Sequence, residues 1–206
     1  METETIFYLI VLIFSVIIHE VAHGYVAEAF GDPTARLAGR LTLNPAPHID
    51  LFGSILIPAL LIFSGSKFLF GWAKPVPYNP HNLKNFKWGT IGVAAAGVLT
   101  NLLIAIIFGL IIRYGMMTGA LSMQFIKISA IIVATNLMLA IFNLIPVPPL
   151  DGAKVLFALL PYRFQYVHDY LEHNWLFVLL LLLFFAPMVM TPAISLLFWA
   201  ITGVRF

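Results

Sequence analysis

Residues 6–30 read IFYLIVLIFSVIIHEVAHGYVAEAF, and the reading of this stretch decides the fold. A bilayer span needs about 20 apolar residues rising 1.5 Å each, and this run supplies them before Gly31, Asp32 and Pro33 stop it. Its second half nevertheless carries His19, Glu20, His23 and Glu28. On insertion scales an ionisable residue at mid-membrane costs about 2.5–3.5 kcal/mol, and such residues are rare unless functional. His19-Glu20-Val21-Ala22-His23 has the spacing H-E-x-x-H. On a helix the two histidines then share one face a turn apart, as two imidazoles on one zinc ion must, and the glutamate between them can reach water at the metal as a general base. The alternative, histidines bonded to neighbouring carbonyls and a glutamate paired to lysine, finds no lysine or arginine in the same span.

The rest of the chain is of the same kind. Of its 206 residues 61% are hydrophobic and 10% charged, and the mean hydropathy is +0.98. A soluble domain carries about a quarter charged residues, so one integral membrane domain over residues 1–206 is expected. The absence of cysteine excludes disulfides, thiolate metal sites and a cysteine nucleophile. A net charge of +2 without a basic run gives no footprint for nucleic acid; partners belong in or near the lipid bilayer. The acidic start Met1-Glu2-Thr3-Glu4-Thr5 lacks the basic region of a signal peptide, so the first hydrophobic segment is expected to be retained.

Further spans are expected over residues 90–112, where Ala94, Ala95, Ala96 and Gly97 suit close helix packing, over residues 125–145, and over residues 175–201 with breaks at Pro187 and Pro192. Residues 32–50, 114–122 and 161–174 read as polar or loop connections. Leu51–Phe63 is apolar but short, with Pro58 near its middle, and residues 67–88, rich in Pro, Gly, Asn and Lys, read as extended backbone. Residues 71–80 in particular offer an edge to which an unwound peptide could add. Residues 125–145 run into Pro146-Val147-Pro148-Pro149-Leu150-Asp151-Gly152 and resume over residues 153–160. A helix broken by prolines at membrane depth is tolerated where it is buried in protein or lines a wet cavity. The fold expected is an all-α polytopic membrane protein: four to five transmembrane helices, a re-entrant segment, and one proline-broken helix.

Catalytic zinc takes three protein ligands and keeps one position open. Glu2 and Glu4 are terminal, and Asp32, Asp50, His81, His168, Asp169, Glu172 and His173 fall in polar connections. Asp151 is the exception. Apolar sequence flanks it on both sides, where a free carboxylate is costly and a metal-bound one is not. Its other reading is a turn or N-cap residue ahead of residues 153–160, and the two roles are compatible. His19, His23 and Asp151 are thus the candidate ligands of one Zn²⁺ per chain, with Glu20 as the catalytic base.

These motifs resemble the site-2 protease family of intramembrane zinc metalloproteases, over most of the chain through about Leu160. His19-Glu20-Val21-Ala22-His23-Gly24 is similar to the family's first motif, and Asn143-Leu144-Ile145-Pro146-Val147-Pro148-Pro149-Leu150-Asp151-Gly152 to its second, whose aspartate is the third ligand. Gly97-Val98-Leu99-Thr100-Asn101 is similar to a small-residue and asparagine pattern lying between them, with Val98 where proline often follows the glycine. Asn44-Pro45, His48, Asp50 and Gly53, with residues 71–79, resemble the compact bacterial and archaeal branch, and no inserted PDZ or CBS domain is seen. The resemblance implies that Asn143 helps hold the substrate carbonyl or its oxyanion, for which a fixed amide N–H in a dry site is suited; the alternative is a bond between helices. His48 and Asn101 are further candidates for substrate contact or gating, against a surface histidine and a helix-packing asparagine.

His19 and His23 lie past the middle of their span and Asp151 past the middle of its own, so they meet most easily if the two segments run in the same direction. That holds if Leu51–Phe63 enters and leaves on one side, with Gly53 and Gly65 as hinges. Arg36, Arg40, Lys67, Lys74, Lys84, Lys87, Lys154 and Arg163 then share one face against Arg113, Lys127 and Arg205, eight to three; a full crossing gives six to five. The positive-inside rule prefers the first and puts the zinc nearer the cytoplasmic face of a prokaryotic cell membrane. The function expected is cleavage of a peptide bond in or near a transmembrane segment of a membrane protein substrate. The alternatives are a membrane zinc hydrolase of lipid-like amides and a non-enzymatic metal-binding transporter.

Overall fold

The computed structural model describes residues 2–64 and 71–205. In chain order its helices are α1 (Glu2–Ala29), α2 (Thr34–Leu37), α3 (Ile57–Phe63), α4 (Phe86–Thr118), α5 (Met123–Leu144), α6 (Asp151–Leu159), α7 (Gln165–His173) and α8 (Trp175–Thr202). Four of them, α1, α4, α5 and α8, are long and apolar enough to cross a bilayer, and no strand occurs among the described residues. The protein is an all-α integral membrane protein.

α1 ends where Gly31 takes a left-handed backbone, φ 104°. The next residue, Asp32, is fully buried and ties this turn to the approach of α4. Its carboxylate accepts from Thr34 N at 3.1 Å, Asn79 N at 2.6 Å and Asn82 Nδ2 at 2.9 Å. Burial pushes the Asp32 carboxyl up, but the bonds from Thr34, Asn82 and Asn79 outweigh it and hold it below the ordinary carboxylate range.

α4 is the central helix, and at 33 residues it is about 50 Å long. Asn85 caps it, accepting from Trp88 N at 3.0 Å, and Gly119 ends it at φ 65°. The loop expected over residues 114–122 is therefore confined to its second half: nothing from Tyr114 to Thr118 demands a break, and Gly119 is the first residue with a left-handed backbone there. α8 likewise runs unbroken through Pro187 and Pro192, against the breaks expected there. Unwinding in lipid would strand further backbone polar groups, so continuing past each proline is the cheaper course. The polar connection over residues 161–174 contains α7, and of the stretch over residues 67–88 the part 71–79 has no regular secondary structure while α4 claims Phe86 onward.

Between apolar helices in lipid there is no hydrophobic drive, so close approach at small residues carries the packing. α1 runs antiparallel to α4 along such a face. His23 meets Val93 and His19 lies on Gly97, while further along Val11 and Ala105 are both buried. α5 and α8 close the other side around Ala105, Ile112, Val133, Leu137 and Phe198. The far face of α8, with Phe184 and Met188 about four-fifths exposed, is left for lipid.

Leu51–Phe63 forms a π-helical turn, Leu51–Leu56, leading into α3. Thirteen residues reach about 20 Å, short of the roughly 30 Å hydrocarbon core. Its first turn meets the chain that follows residues 65–70: Trp72 N donates to Gly53 O at 3.1 Å, and Ser54 Oγ donates to Trp72 O at 2.8 Å. The excursion leaves and returns at one place, as a re-entrant segment does. Gly65, read as a hinge, and Lys67, counted in the charge balance, lie outside the described residues.

Candidate metal centre

α5 stops at Leu144 and α6 starts at Asp151, so the proline-rich break falls where the sequence puts it. Asp151 is the first residue of α6 with Leu150 at the N-cap, and its carboxylate caps nothing. It turns instead to α1. His19 Nε2 and His23 Nε2 each lie 3.1 Å from Asp151 Oδ2, all three residues being buried. Lys154, one turn along α6, donates from Nζ to Asp151 Oδ1 at 3.0 Å. Gly152 packs so closely on the Leu144 and Ile145 carbonyls that a side chain there would drive α6 away.

The donor set fits a metal on its own chemistry. A carbonyl only accepts, so the 2.6 Å contact of His23 Nδ1 with Val93 O puts the hydrogen on Nδ1. A neutral His23 then aims a lone pair from Nε2 at a carboxylate oxygen. Two acceptors at 3.1 Å, out of water, are reconciled by a cation. One ligand atom each from His19, His23 and Asp151 can be chosen within 4.8 Å of one another. The His23 to Val93 bond is the outer-shell partner that metal-ligating histidines use to fix ring orientation. Gly97 leaves room for the His19 ring, which a methyl group at that position would strike. A second group of this kind, His168, Asp169 and Glu172 on α7, has its carboxylates in solvent.

Glu20, half-buried on the neighbouring side of α1, accepts from the backbone N–H of Val76 at 2.8 Å. The residues around Val76 are pinned on the same edge. Lys74 N donates to His48 O at 2.8 Å, and Arg40 donates to Lys74 O at 2.7 Å. The N–H groups of Trp72, Lys74 and Val76 are thus engaged, while Pro75 and Pro77 have none, so this edge offers an adding peptide mainly carbonyls. Among the sequence candidates, His19, His23 and Asp151 come together and Glu20 adjoins them. Asn143 is half-buried near the end of α5 and donates back to Leu139 O at 3.0 Å. His48 is buried, not a surface residue: its Nε2 pairs with Thr42 O at 2.9 Å, and its carbonyl anchors Lys74. Asn101 is fully buried one turn along α4 from Gly97. An apolar groove of about 180 Å³ between α4 and α6, lined by Ala94, Val98, Leu102, Leu144 and Val155, opens on Asp151.

Lys154 and Val76 were not singled out from sequence. Lys154 could have been, by its i, i+3 spacing from Asp151. Val76 contributes through its backbone, for which no side-chain signal exists.

Fold and donor set together are those of an integral membrane protein with a buried His-His-Asp group suited to a metal ion. The model of "Peptidase family M50" matches residues 111–186. The chain is 41% identical over 184 residues, 87% of its own length and 80% of the relative's, to the Bacillus subtilis (strain 168) protein named "Putative zinc metalloprotease YwhC". It is 30% identical over 139 residues, 67% of its length and 51% of the relative's, to "Putative zinc metalloprotease Rip2" of Mycolicibacterium smegmatis. No solved structure matches. The chain belongs to peptidase family M50, the site-2 proteases.

Proposed function

We propose that this zinc metalloprotease cleaves a peptide bond in or near a transmembrane segment of another membrane protein. The observation that carries the reading is the setting of the three donors: His19, His23 and Asp151 are buried among bilayer-crossing helices, and Asp151 lines an apolar groove. A chain reaching them by that route is itself apolar. Its helix must first unwind, because a helical carbonyl is engaged and shielded.

His19, His23 and Asp151 hold the zinc, one ion per chain. Bound there, zinc supplies Lewis acidity, polarising a carbonyl and acidifying water. Glu20 takes the proton of the attacking water and passes it to the amine nitrogen as the C–N bond breaks. Val76 N–H keeps one oxygen of that carboxylate in place while the other works. Asn143 donates from Nδ2 to the oxyanion, exchanging its bond to Leu139 O for this one. His48 serves as an anchor for the chain at Lys74 rather than as a gate. The charge balance supports a site nearer the cytoplasmic face, and both relatives are bacterial, which supports a prokaryotic cell membrane.

The test uses purified wild type and Glu20→Gln with three substrates: a reporter protein carrying one transmembrane helix, a soluble peptide of the same sequence length, and a fatty-acid amide. Chelator-sensitive, Glu20-dependent cleavage in or beside the helix is the expected result. Turnover of the amide alone would overturn the reading.

A further inference from the structure

Three polar side chains lie buried where α1, α4 and α5 meet, and the helix register finds them. His23 sits against Val93 and His19 against Gly97, so one further turn on each helix brings Ser15 level with Asn101. From α5, Asn136 Nδ2 donates to Ser15 Oγ at 3.0 Å. Asn101 and Asn136 are 0% exposed, yet Asn101 Oδ1 and Nδ2 and Asn136 Oδ1 have no partner among the described residues. The same holds for His19 Nδ1. The contrast with His23 is pointed, since that ring spends its Nδ1 hydrogen on Val93 O.

We propose that Asn101 and Asn136, the latter held by Ser15, hold a buried water that accepts the hydrogen of His19 Nδ1, which makes Asn101 a positioning residue for His19. Long side chains on a helix lean toward its N-terminus, and that tips the His19 ring toward the level of Ser15. The water accepts from His19 Nδ1–H and from Asn101 Nδ2–H, and donates to Asn136 Oδ1. Three such bonds to otherwise unpaired groups are the usual holding of a buried water. With its hydrogen fixed at Nδ1, His19 presents the Nε2 lone pair toward Asp151, as His23 does by a different partner. The inference rests on the reading of His19 as a zinc ligand.

Chelator competition on purified protein tests it. In Asn101→Leu the zinc affinity is expected to fall roughly ten- to hundredfold. The melting temperature of the zinc-free protein should hold or rise, because leucine replaces a buried amide whose Oδ1 stays unpaired even beside the water. Asn101→Ala, which leaves space for a further water, should stay near wild-type affinity. A side chain that only packs helices would give the opposite pattern, lower zinc-free melting with wild-type zinc affinity, and that result overturns the inference. Should Asn101→Leu not fold, Asn136→Leu in the same competition decides, since it also removes a partner of the water: weakened zinc supports the inference and unchanged affinity overturns it. His19→Ala separates the two readings. Zinc retained there sinks both, whereas zinc lost there but bound normally by Asn101→Leu sinks only this one.

Discussion

The backbone N–H of Val76 donates to Glu20 Oε2 at 2.8 Å, joining residues 56 apart in sequence. Pro75 and Pro77 flank Val76, so a third proline suits the local chain and deletes this donor, while Val76→Ala controls for the loss of the buried side chain. Hydrogen bonds to charged groups are worth about 1.5–3 kcal/mol. Val76→Pro is therefore expected to lower kcat by roughly ten- to a hundredfold with zinc content unchanged, while Val76→Ala, which keeps the N–H, stays near wild type. Equal activity of the two variants would show that the contact does nothing for Glu20.

Metal analysis should give one zinc per chain, strongly reduced in His23→Ala and Asp151→Ala and retained in Glu20→Gln. Full occupancy in Asp151→Ala would remove the aspartate from the ligand set, leaving the histidines to hold metal with some other group.

Gly97→Ala sets two effects against each other. Alanine favours a helix interior over glycine by about 1 kcal/mol, but the methyl group lands on the His19 ring. The ring is tethered to Asp151 and cannot swing clear without loosening the cluster. The expected result is an intact or more stable fold by thermal melting, with weakened zinc binding and lost proteolysis. A variant with wild-type zinc affinity would show that the ring has room.

Asp32 predicts a pH dependence. Its folded pKa lies below the unfolded value of about 3.9. The stability it contributes is therefore present above that value and is lost as pH falls through the folded pKa. Detergent-solubilised wild type should melt at progressively lower temperature as pH drops below about 4. Asp32→Asn should melt lower at neutral pH, by an amount corresponding to about 1–3 kcal/mol, with a shallower acid dependence. Parallel melting curves for the two proteins across that range would count against the carboxylate.

The re-entrant excursion can be mapped because the chain has no cysteine. Single cysteines at Leu43 and Asn82, before and after Leu51–Phe63, should react with an impermeant thiol reagent from the same face, the cytoplasmic one. A cysteine at Ser122, between α4 and α5, should react from the other. Labelling of Leu43→Cys and Asn82→Cys from opposite faces would mean that the segment crosses.

The parts of the site legible in sequence are those in which a residue type is costly where it stands. His19, Glu20 and His23 in an apolar span, and Asp151 between apolar flanks, each need a reason, and the proposed zinc site supplies one for His19, His23 and Asp151 together. The spans were legible for the same reason, through length and hydropathy. Local rules carried over from water misled at Pro187 and Pro192, because they price a helix break in a solvent that can hydrogen-bond the freed backbone. At Tyr114 to Thr118 a loop was expected where no residue requires one. The Val76 donor and the Val93 acceptor were invisible, since every residue but proline has an N–H and every residue has a carbonyl. His48 looked like a surface residue because its neighbours are prolines; only the folded path of Thr42 and Lys74 encloses it.

The bond between Gly53 and Trp72 also separates two design problems. Because the chain is clamped there, whatever lies between is a closed loop whose ends are already held, and lengthening such a loop costs only about 0.6 kcal/mol per doubling. The bonds that place Lys74 and Val76 against His48 and Glu20 all lie outside the clamp. A lineage can thus rewrite the membrane-facing excursion, in length or in sequence, without re-solving the geometry around Glu20, and the protein has one region free to vary with its targets beside another that must stay as it is.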